Sequence, residues 1–323
     1  MAKWVFPPLE PDFDYVAAMR ALASEEIRPV KRQHVVSKVV LKGFASLKGR
    51  RQGWQLARFD KRRCRELYPK GLDACGKIDG FVQYASGSAE ALWDGVEKKL
   101  GTAIESAEAG ALHRDEKNIK TIKQGIALHL VRTPHFRRIH ESSFAEAVRA
   151  LRKEMLENEQ AMLSGEFRRR YGLEPAGAEA RELVLDQPFQ KWQEYEQTGM
   201  LLRVSLERSF YRVCSTLEEV AVQVLHVPAG KELIISDAPA FTFAYNPDGT
   251  MTTQMAIGDS HGVALPVTSK CLVAIGPEPK DEELLSGLVD NFNRIQVELA
   301  ERQVYYKPSS SIKRFVEHCC RNK

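Results

Sequence analysis

The spacing of apolar positions changes twice along this chain, giving a mixed start, a long helical middle and a strand-rich end. After a proline-rich arm carrying Trp4 and Phe6, Phe13 to Ile27 reads as a short helix closed before Pro29. Trp54 to Asp60 alternates as a strand, and Arg65 to Tyr68 is placed to return as its partner across the basic turn Lys61–Arg65. Gly71 to Gly87 reads as a loop anchored by Phe81 and Tyr84. From Ser88 the period becomes helical, and Leu92, Val96, Leu100 and Ile104 mark one amphipathic face. Further helices are predicted over Phe144–Arg170 and Pro188–Cys214, with residues 174–180 as the best linker between them.

The stretch Ile119–His140 organises the middle. Ile119, Ile122, Ile126 and Leu130 give the stripe of a helix packed on a core. Arg132, Thr133 and Pro134 then interrupt it, and His135, Arg137, Arg138 and His140 follow. Pro134 lacks an N–H and crowds the carbonyl four residues back, which predicts a kink or a helix restart. Cations at such a bend suit an anion.

Beyond Cys214 the period returns to that of strands. Val220–Val227, Leu233–Ile235, Val263–Val267, Cys271–Ile275 and Val304–Tyr306 are predicted strands, with a turn at Asn246-Pro247-Asp248-Gly249. Leu284, Leu288, Phe292, Ile295 and Leu299 mark a helix, and a basic helix after Ser309-Ser310-Ser311 closes the chain. The fold class that follows is α+β, a helical middle with a mostly antiparallel C-terminal sheet. The expected division is an arm and short helix over 1–30 and one α+β domain over 31–323, with a candidate sub-boundary near 174–180.

Composition narrows the class without naming a reaction. The 323 residues are 43% hydrophobic and 28% charged, enough for a sizeable core. Net charge is only +4, so any basic footprint has to be local. Cys64, Cys75, Cys214, Cys271, Cys319 and Cys320 show no C-x-x-C spacing, which reads as reduced thiols of a cytoplasmic protein. No apolar run approaches the roughly 18 residues of a membrane helix, and the start is not that of a secretory signal.

Arg132 is the first candidate for chemistry, as a guanidinium gripping phosphate or carboxylate, against an internal ion pair that ties the broken helix to a neighbour. Asp237 ends a strand, where carboxylates serve catalysis or simply satisfy turn backbone. His34 is a candidate general base or metal ligand. Glu97 and Glu105, with Asp237 and His34, are the weak candidates for a divalent metal such as Mg²⁺, against a solvated or paired helix face. Asp259-Ser260-His261 reads as a polar loop, since no G-x-S-x-G elbow accompanies it. The spacings of His129, His135 and His140 from the arginines fit no helical ribonuclease motif, and no phosphate-binding or dinucleotide glycine loop occurs. Three basic runs, Lys31–Arg51, Lys61–Arg65 and Arg132–Arg138, carry Lys31, Arg32, Lys38, Arg62, Arg63, Arg137 and Arg138. Trp54, Phe59 and Phe136 interleave with them, the pairing of charge and stacking surface that single strands favour.

Several short segments share an order with a known pattern: His34-Val35-Val36, Leu41-Lys42-Gly43-Phe44, Tyr84, Glu97 with Glu105, and Arg132-Thr133-Pro134. Ser236-Asp237-Ala238-Pro239, Leu265-Pro266-Val267 and Asn291-Phe292-Asn293 through Ala300 and Tyr305 continue it. In these the chain resembles a bacterial family, domain of unknown function 4238. The chain departs from that pattern twice, with Ser37 where a proline is expected and Lys42-Gly43 where the pattern has Arg-Asn. The resemblance implies bacteria or their phages and names no reaction.

The leading expectation is a protein that acts on nucleic acid, RNA or single strands, as a phosphodiester-hydrolysing nuclease of a defence or toxin system. Arg132 would stabilise phosphate charge, with His34 and Asp237 supplying acid–base or metal chemistry. A non-enzymatic binding protein whose motifs only maintain the fold is the competing expectation. Hydrolysis of a small phosphorylated molecule in a closed pocket is the third.

Overall fold

The computed structural model describes residues 14–23, 30–49, 53–247 and 250–321. Trp4, Phe6 and the Asp248-Gly249 half of the predicted turn lie outside the described residues. The helices are α1 (Tyr15–Ala23), α2 (Lys38–Lys42), α3 (Ser86–Glu108), α4 (Glu116–Val131) and α5 (Pro134–Asn158). They continue with α6 (Gln160–Tyr171), α7 (Ala178–Gln197), α8 (Met200–Glu218), α9 (Ser286–Leu299) and α10 (Lys313–Arg321). The strands before the helical middle are β1 (Arg32–His34), β2 (Ser46–Leu47), β3 (Trp54–Asp60), β4 (Arg65–Gly71) and β5 (Lys77–Asp79). After it come β6 (Ala221–His226), β7 (Ile235–Ser236), β8 (Phe241–Tyr245), β9 (Met251–Thr253), β10 (Gly262–Thr268), β11 (Cys271–Gly276), β12 (Lys280–Glu283) and β13 (Gln303–Tyr306). The class is α+β, with a helical middle and a C-terminal sheet. Among the described residues no helix is long and apolar enough to cross a membrane.

Two sheets frame the core. The larger runs β12-β6-β11-β10-β8-β9 and is antiparallel except where β12 lies parallel to β6. Its central strands β10 and β11 are buried at every position, so they read as continuous apolar runs and not as alternation. Pro266 is tolerated there because it lies at a bulge, beyond the end of the pairing with β8. The second sheet runs β2-β3-β13-β7 with β4 on β3, so the last strand pairs with an early one and ties the two ends of the chain together. A short β1–β5 ladder stands apart from both. Leu100, Ile122 and Ile126 from α3 and α4 join Leu265, Val273 and Phe292 in one large core.

Four departures from the sequence reading have physical causes. Residues 71–87 are not all loop, because β5 pairs with β1 over too few residues to show a period. The all-charged Lys280–Glu283 forms β12, an edge strand that needs no apolar position and is held by His226 Nε2 at 2.7 Å from Asp281 Oδ1. The helix expected from Pro188 starts ten residues earlier, at Ala178. Pro188 cannot donate to the Val184 carbonyl, which instead accepts a 3.4 Å bond from Arg170 Nη1 across the α6–α7 hairpin. Residues 172–177 join these two helices, so the candidate boundary at 174–180 covers that connection and the start of α7; the helices pack through Leu163, Phe167, Val184, Leu185 and Phe189. The helix predicted over Phe144–Arg170 is the end of α5 followed by α6.

Gly43 shows how closely the early segment lies on the large sheet. A Cβ there would stand 2.6 Å from the Val267 carbonyl oxygen and 2.8 Å from Thr268 Cα, both of them backbone. The Gly43 carbonyl also accepts from Ser269 N at 3.1 Å. We therefore expect Gly43→Ala to destabilise the chain by about 1–3 kcal/mol, through overpacking against backbone that cannot yield. Urea unfolding of the two proteins measures this; an unchanged midpoint would contradict it.

Candidate functional site

The break in the central helix is built as a restart. Thr133 is extended and its Oγ1 accepts from Phe136 N at 3.1 Å, capping α5, while Pro134 takes the first helical position, where no N–H is required. Arg132, left between the helices, turns inward. Its side chain is 1% exposed, and Nη2 donates to Glu97 Oε1 at 2.6 Å and to Ser37 Oγ at 2.9 Å. Ser37 Oγ donates in turn to the same Glu97 oxygen at 2.8 Å, and the guanidinium lies 4.8 Å from the centre of the Trp93 ring. The Ser37 N–H donates to His129 Nε2 at 3.2 Å, and His129 Nδ1 is 2.7 Å from the Gly125 carbonyl. Those two bonds assign His129 the neutral Nδ1–H tautomer.

This knot is compact, with Arg132 Nε buried and without a hydrogen-bond partner among the described residues. Burial pushes the Glu97 carboxyl up, but the charge and hydrogen bonds of Arg132, with the bond from Ser37, outweigh it and hold the group below its ordinary value. Burial, then the Arg132 charge, lowers His129 to about 4. His34 lies beside the knot, lowered to about 4 by burial and then by Lys77 and Lys38. Arg132 is thus an internal ion pair and not a grip for an external phosphate: its charge is already met by Glu97, and no surface reaches it. Glu105, eight residues along α3 from Glu97, is exposed and takes no part.

Asp237 is held elsewhere. Its Oδ1 accepts from Glu301 N at 2.8 Å and its Oδ2 from Arg302 N and Gln303 N, both at 3.0 Å, so it braces the entry to β13. Burial raises its carboxyl to about 6, against the lowering by those backbone donors. Among the described residues no hydrogen bond or ion pair links Asp237 to His34 or Arg132. Among the described residues no group of three or more His, Cys, Asp and Glu side chains converges to hold a metal. In the Asp259-Ser260-His261 segment, Ser260 Oγ donates to Ile257 O at 2.8 Å within the turn, and His261 Nδ1 accepts from Tyr245 N at 3.0 Å at the end of β8.

The basic runs do meet. Arg32 from the first, Arg62 from the second, and Arg137 and Arg138 from the third line one open cleft of about 780 Å³. Arg58, Lys77 and Arg302 complete it, so seven cations face the carboxylates of Asp79, Glu141, Asp237 and Glu301. Four of the cations are paired: Arg32 with Asp79 at 3.4 Å, Arg137 with Glu141 at 2.7 Å, Arg302 with Asp60 at 3.6 Å, and Arg138 with Glu301. Among the described residues Arg58, Arg62 and Lys77 have no carboxylate partner; Arg58 and Arg62 donate to the backbone carbonyls of Tyr68 and Glu301. Lys31 and Arg63 are exposed outside this lining, and Lys38 pairs with Asp73. Arg58, Lys77 and Arg302 were missed by sequence. Arg58 is a polar position in the alternation of β3, and that was the one available signal.

The knot carries a pH signature. A histidine whose folded value lies below its ordinary 6.5 is protonated first in the unfolded chain. Its contribution is full above pH 6.5 and is lost as pH falls towards 4, by up to about 3 kcal/mol. Asp237, raised from 3.8 to about 6, acts in the opposite sense, adding stability at low pH that is lost as pH rises through that window. Unfolding of the parent and of His129→Gln across this range isolates the histidine. The parent should lose more stability than the variant on acidification; parallel profiles would contradict the assignment.

The family model described as "Protein of unknown function (DUF4238)" matches residues 32–310, from β1 to the turn before α10. Comparison with curated proteins and with solved structures gives no match. The match takes in both strands of the small ladder, the knot, the Asp237 brace and every residue of the cleft, and this chain belongs to the DUF4238 family.

Proposed function

We propose that this protein binds nucleic acid through its phosphates, in the cleft where the three basic runs meet. The observation that supports this is the convergence itself. Arg32, Arg62 and Arg137 come from separate stretches of the sequence and line one cavity, with cations in excess of carboxylates. Separate guanidinium groups around an open cleft suit an extended, repeating anion. The aromatic residues in the lining, Phe81 and Tyr305, are buried in the wall, so the cleft itself addresses backbone and not bases. The Arg-Thr-Pro and Ser-Asp-x-Pro motifs then serve the fold that holds the cleft open.

One observation favours a second reading, hydrolysis of the bound phosphodiester. Asp237 stands in the cleft wall with its carboxyl near 6, the range in which a carboxyl serves as acid or base close to neutrality.

Both readings are met by one experiment. Labelled single-stranded and duplex RNA and DNA are titrated with the parent and with an Arg62→Glu, Lys77→Glu double variant over a range of salt. The samples are then incubated with Mg²⁺, with Mn²⁺ and without metal. Affinity should fall with salt, by about 0.7 in the log–log slope for each contact to a single-strand phosphate, and the double variant should show a shallower slope. Binding that is absent, or insensitive both to salt and to the two substitutions, would refute the cleft. Cleavage by the parent alone would establish the hydrolytic reading.

A further inference from the structure

The β3–β4 hairpin carries an aromatic surface that the cleft does not absorb. Tyr68 is 80% exposed, the most exposed of the large apolar and aromatic side chains among the described residues. It borders a groove of about 560 Å³ lined by Lys48, Gln55, Tyr68, Pro69, Lys70 and Gly71. Among the described residues neither Lys48 nor Lys70 has a carboxylate partner. Trp54, the aromatic that sequence interleaves with the first basic run, is 38% exposed and already has Lys42 Nζ 5.4 Å from its ring centre. Among the described residues Tyr68 has no such cover.

Arg58 joins this groove to the cleft. It lines the cleft, and its Nε and Nη2 donate to the Tyr68 carbonyl at 3.2 and 3.0 Å. The hairpin is anchored beneath by Phe59, fully buried, and by the pairing of β3 with β13. A ring fixed on a paired strand loses little freedom when a base stacks on it, and cations on either side suit the phosphates that flank that base.

We infer that Tyr68 is a base-stacking platform, flanked by Lys48 and Lys70, for a single strand that continues from the cleft over the β3–β4 hairpin. The inference rests on the cleft reading and extends it: the cleft holds backbone, and the hairpin distinguishes an unpaired base from bare phosphate. A duplex, whose bases are stacked on one another, does not engage Tyr68.

The test compares two polyanions on the full chain. The parent, Tyr68→Ala and Tyr68→Phe are titrated with a labelled single-stranded RNA and, separately, with inorganic polyphosphate of similar charge. Tyr68→Ala is expected to weaken RNA binding by about 5- to 150-fold, the range of one lost base stack. Tyr68→Phe should retain parental affinity, and polyphosphate binding should be the same for all three proteins. RNA binding by Tyr68→Ala at parental strength would overturn the platform and leave the cleft standing. Equal weakening towards RNA and polyphosphate would overturn it too, since it would show a general effect on charge or fold. Failure of the parent to bind either polyanion would remove the cleft reading and the platform with it.

Discussion

A single buried guanidinium fixes the junction on which the other parts of this fold depend. Arg132 sits where α4 stops and α5 restarts, and its charge is met by a carboxylate from α3 and a hydroxyl from the segment leading into α2. Three elements distant in sequence are thereby held at one point. An ion pair in this position costs desolvation of both groups, and it persists because geometry and further hydrogen bonds offset that cost. Ser37 supplies them, donating to Glu97 and to His129 while accepting from Arg132. The two departures from the family pattern are therefore built into the structure. A proline at position 37 has no N–H for His129 and no hydroxyl for Glu97. A side chain at position 43 would strike the backbone of β10.

From the knot the cationic cleft follows. Restarting the helix at Pro134 sends Arg137 and Arg138 out on the first turns of α5, and Arg137 Nη1 reaches the carbonyls of Gly80 and Phe81 just beyond β5. The opposite wall is set by β3 and by the Glu301–Gln303 turn that Asp237 braces, with Lys61 Nζ donating to the Glu298 carbonyl in α9 at 2.6 Å and to the Ala300 carbonyl just past its end at 2.5 Å. Arg132 thus lies beneath the cleft, and Asp237 stands in its wall beside Arg32, Arg62, Arg137 and Arg138 from the three basic runs.

Much of the fold was legible in sequence, because long apolar periods decide it. The stripe through Ile122 and Ile126, the alternation of Trp54–Asp60 and the unbroken apolar runs of β10 and β11 each identify their element without tertiary help. A break at Pro134 was legible too, as a kink or a restart, and the structure has the restart. What sequence did not reveal depends on pairings between distant segments. Arg132 and Glu97 are 35 residues apart, and no spacing shows whether a cation turns towards solvent or towards such a partner. Lys77 entered no candidate set because β5 is three residues long and gains its strand identity only from β1. Tyr68 was visible as a strand residue, yet its exposure is a property of the folded β3–β4 hairpin.

The claim at the centre of this account is that Arg132 holds the fold and does not touch the nucleic acid proposed to bind in the cleft. Arg132→Met tests it most directly, with unfolding free energy and RNA affinity measured on the same protein, the affinity at a temperature where the variant remains folded. Removing one partner leaves Glu97 without its cation, so stability should fall by about 3–5 kcal/mol while the folded variant binds RNA with parental affinity. A variant with parental stability that no longer binds RNA would contradict the account and return Arg132 to the ligand.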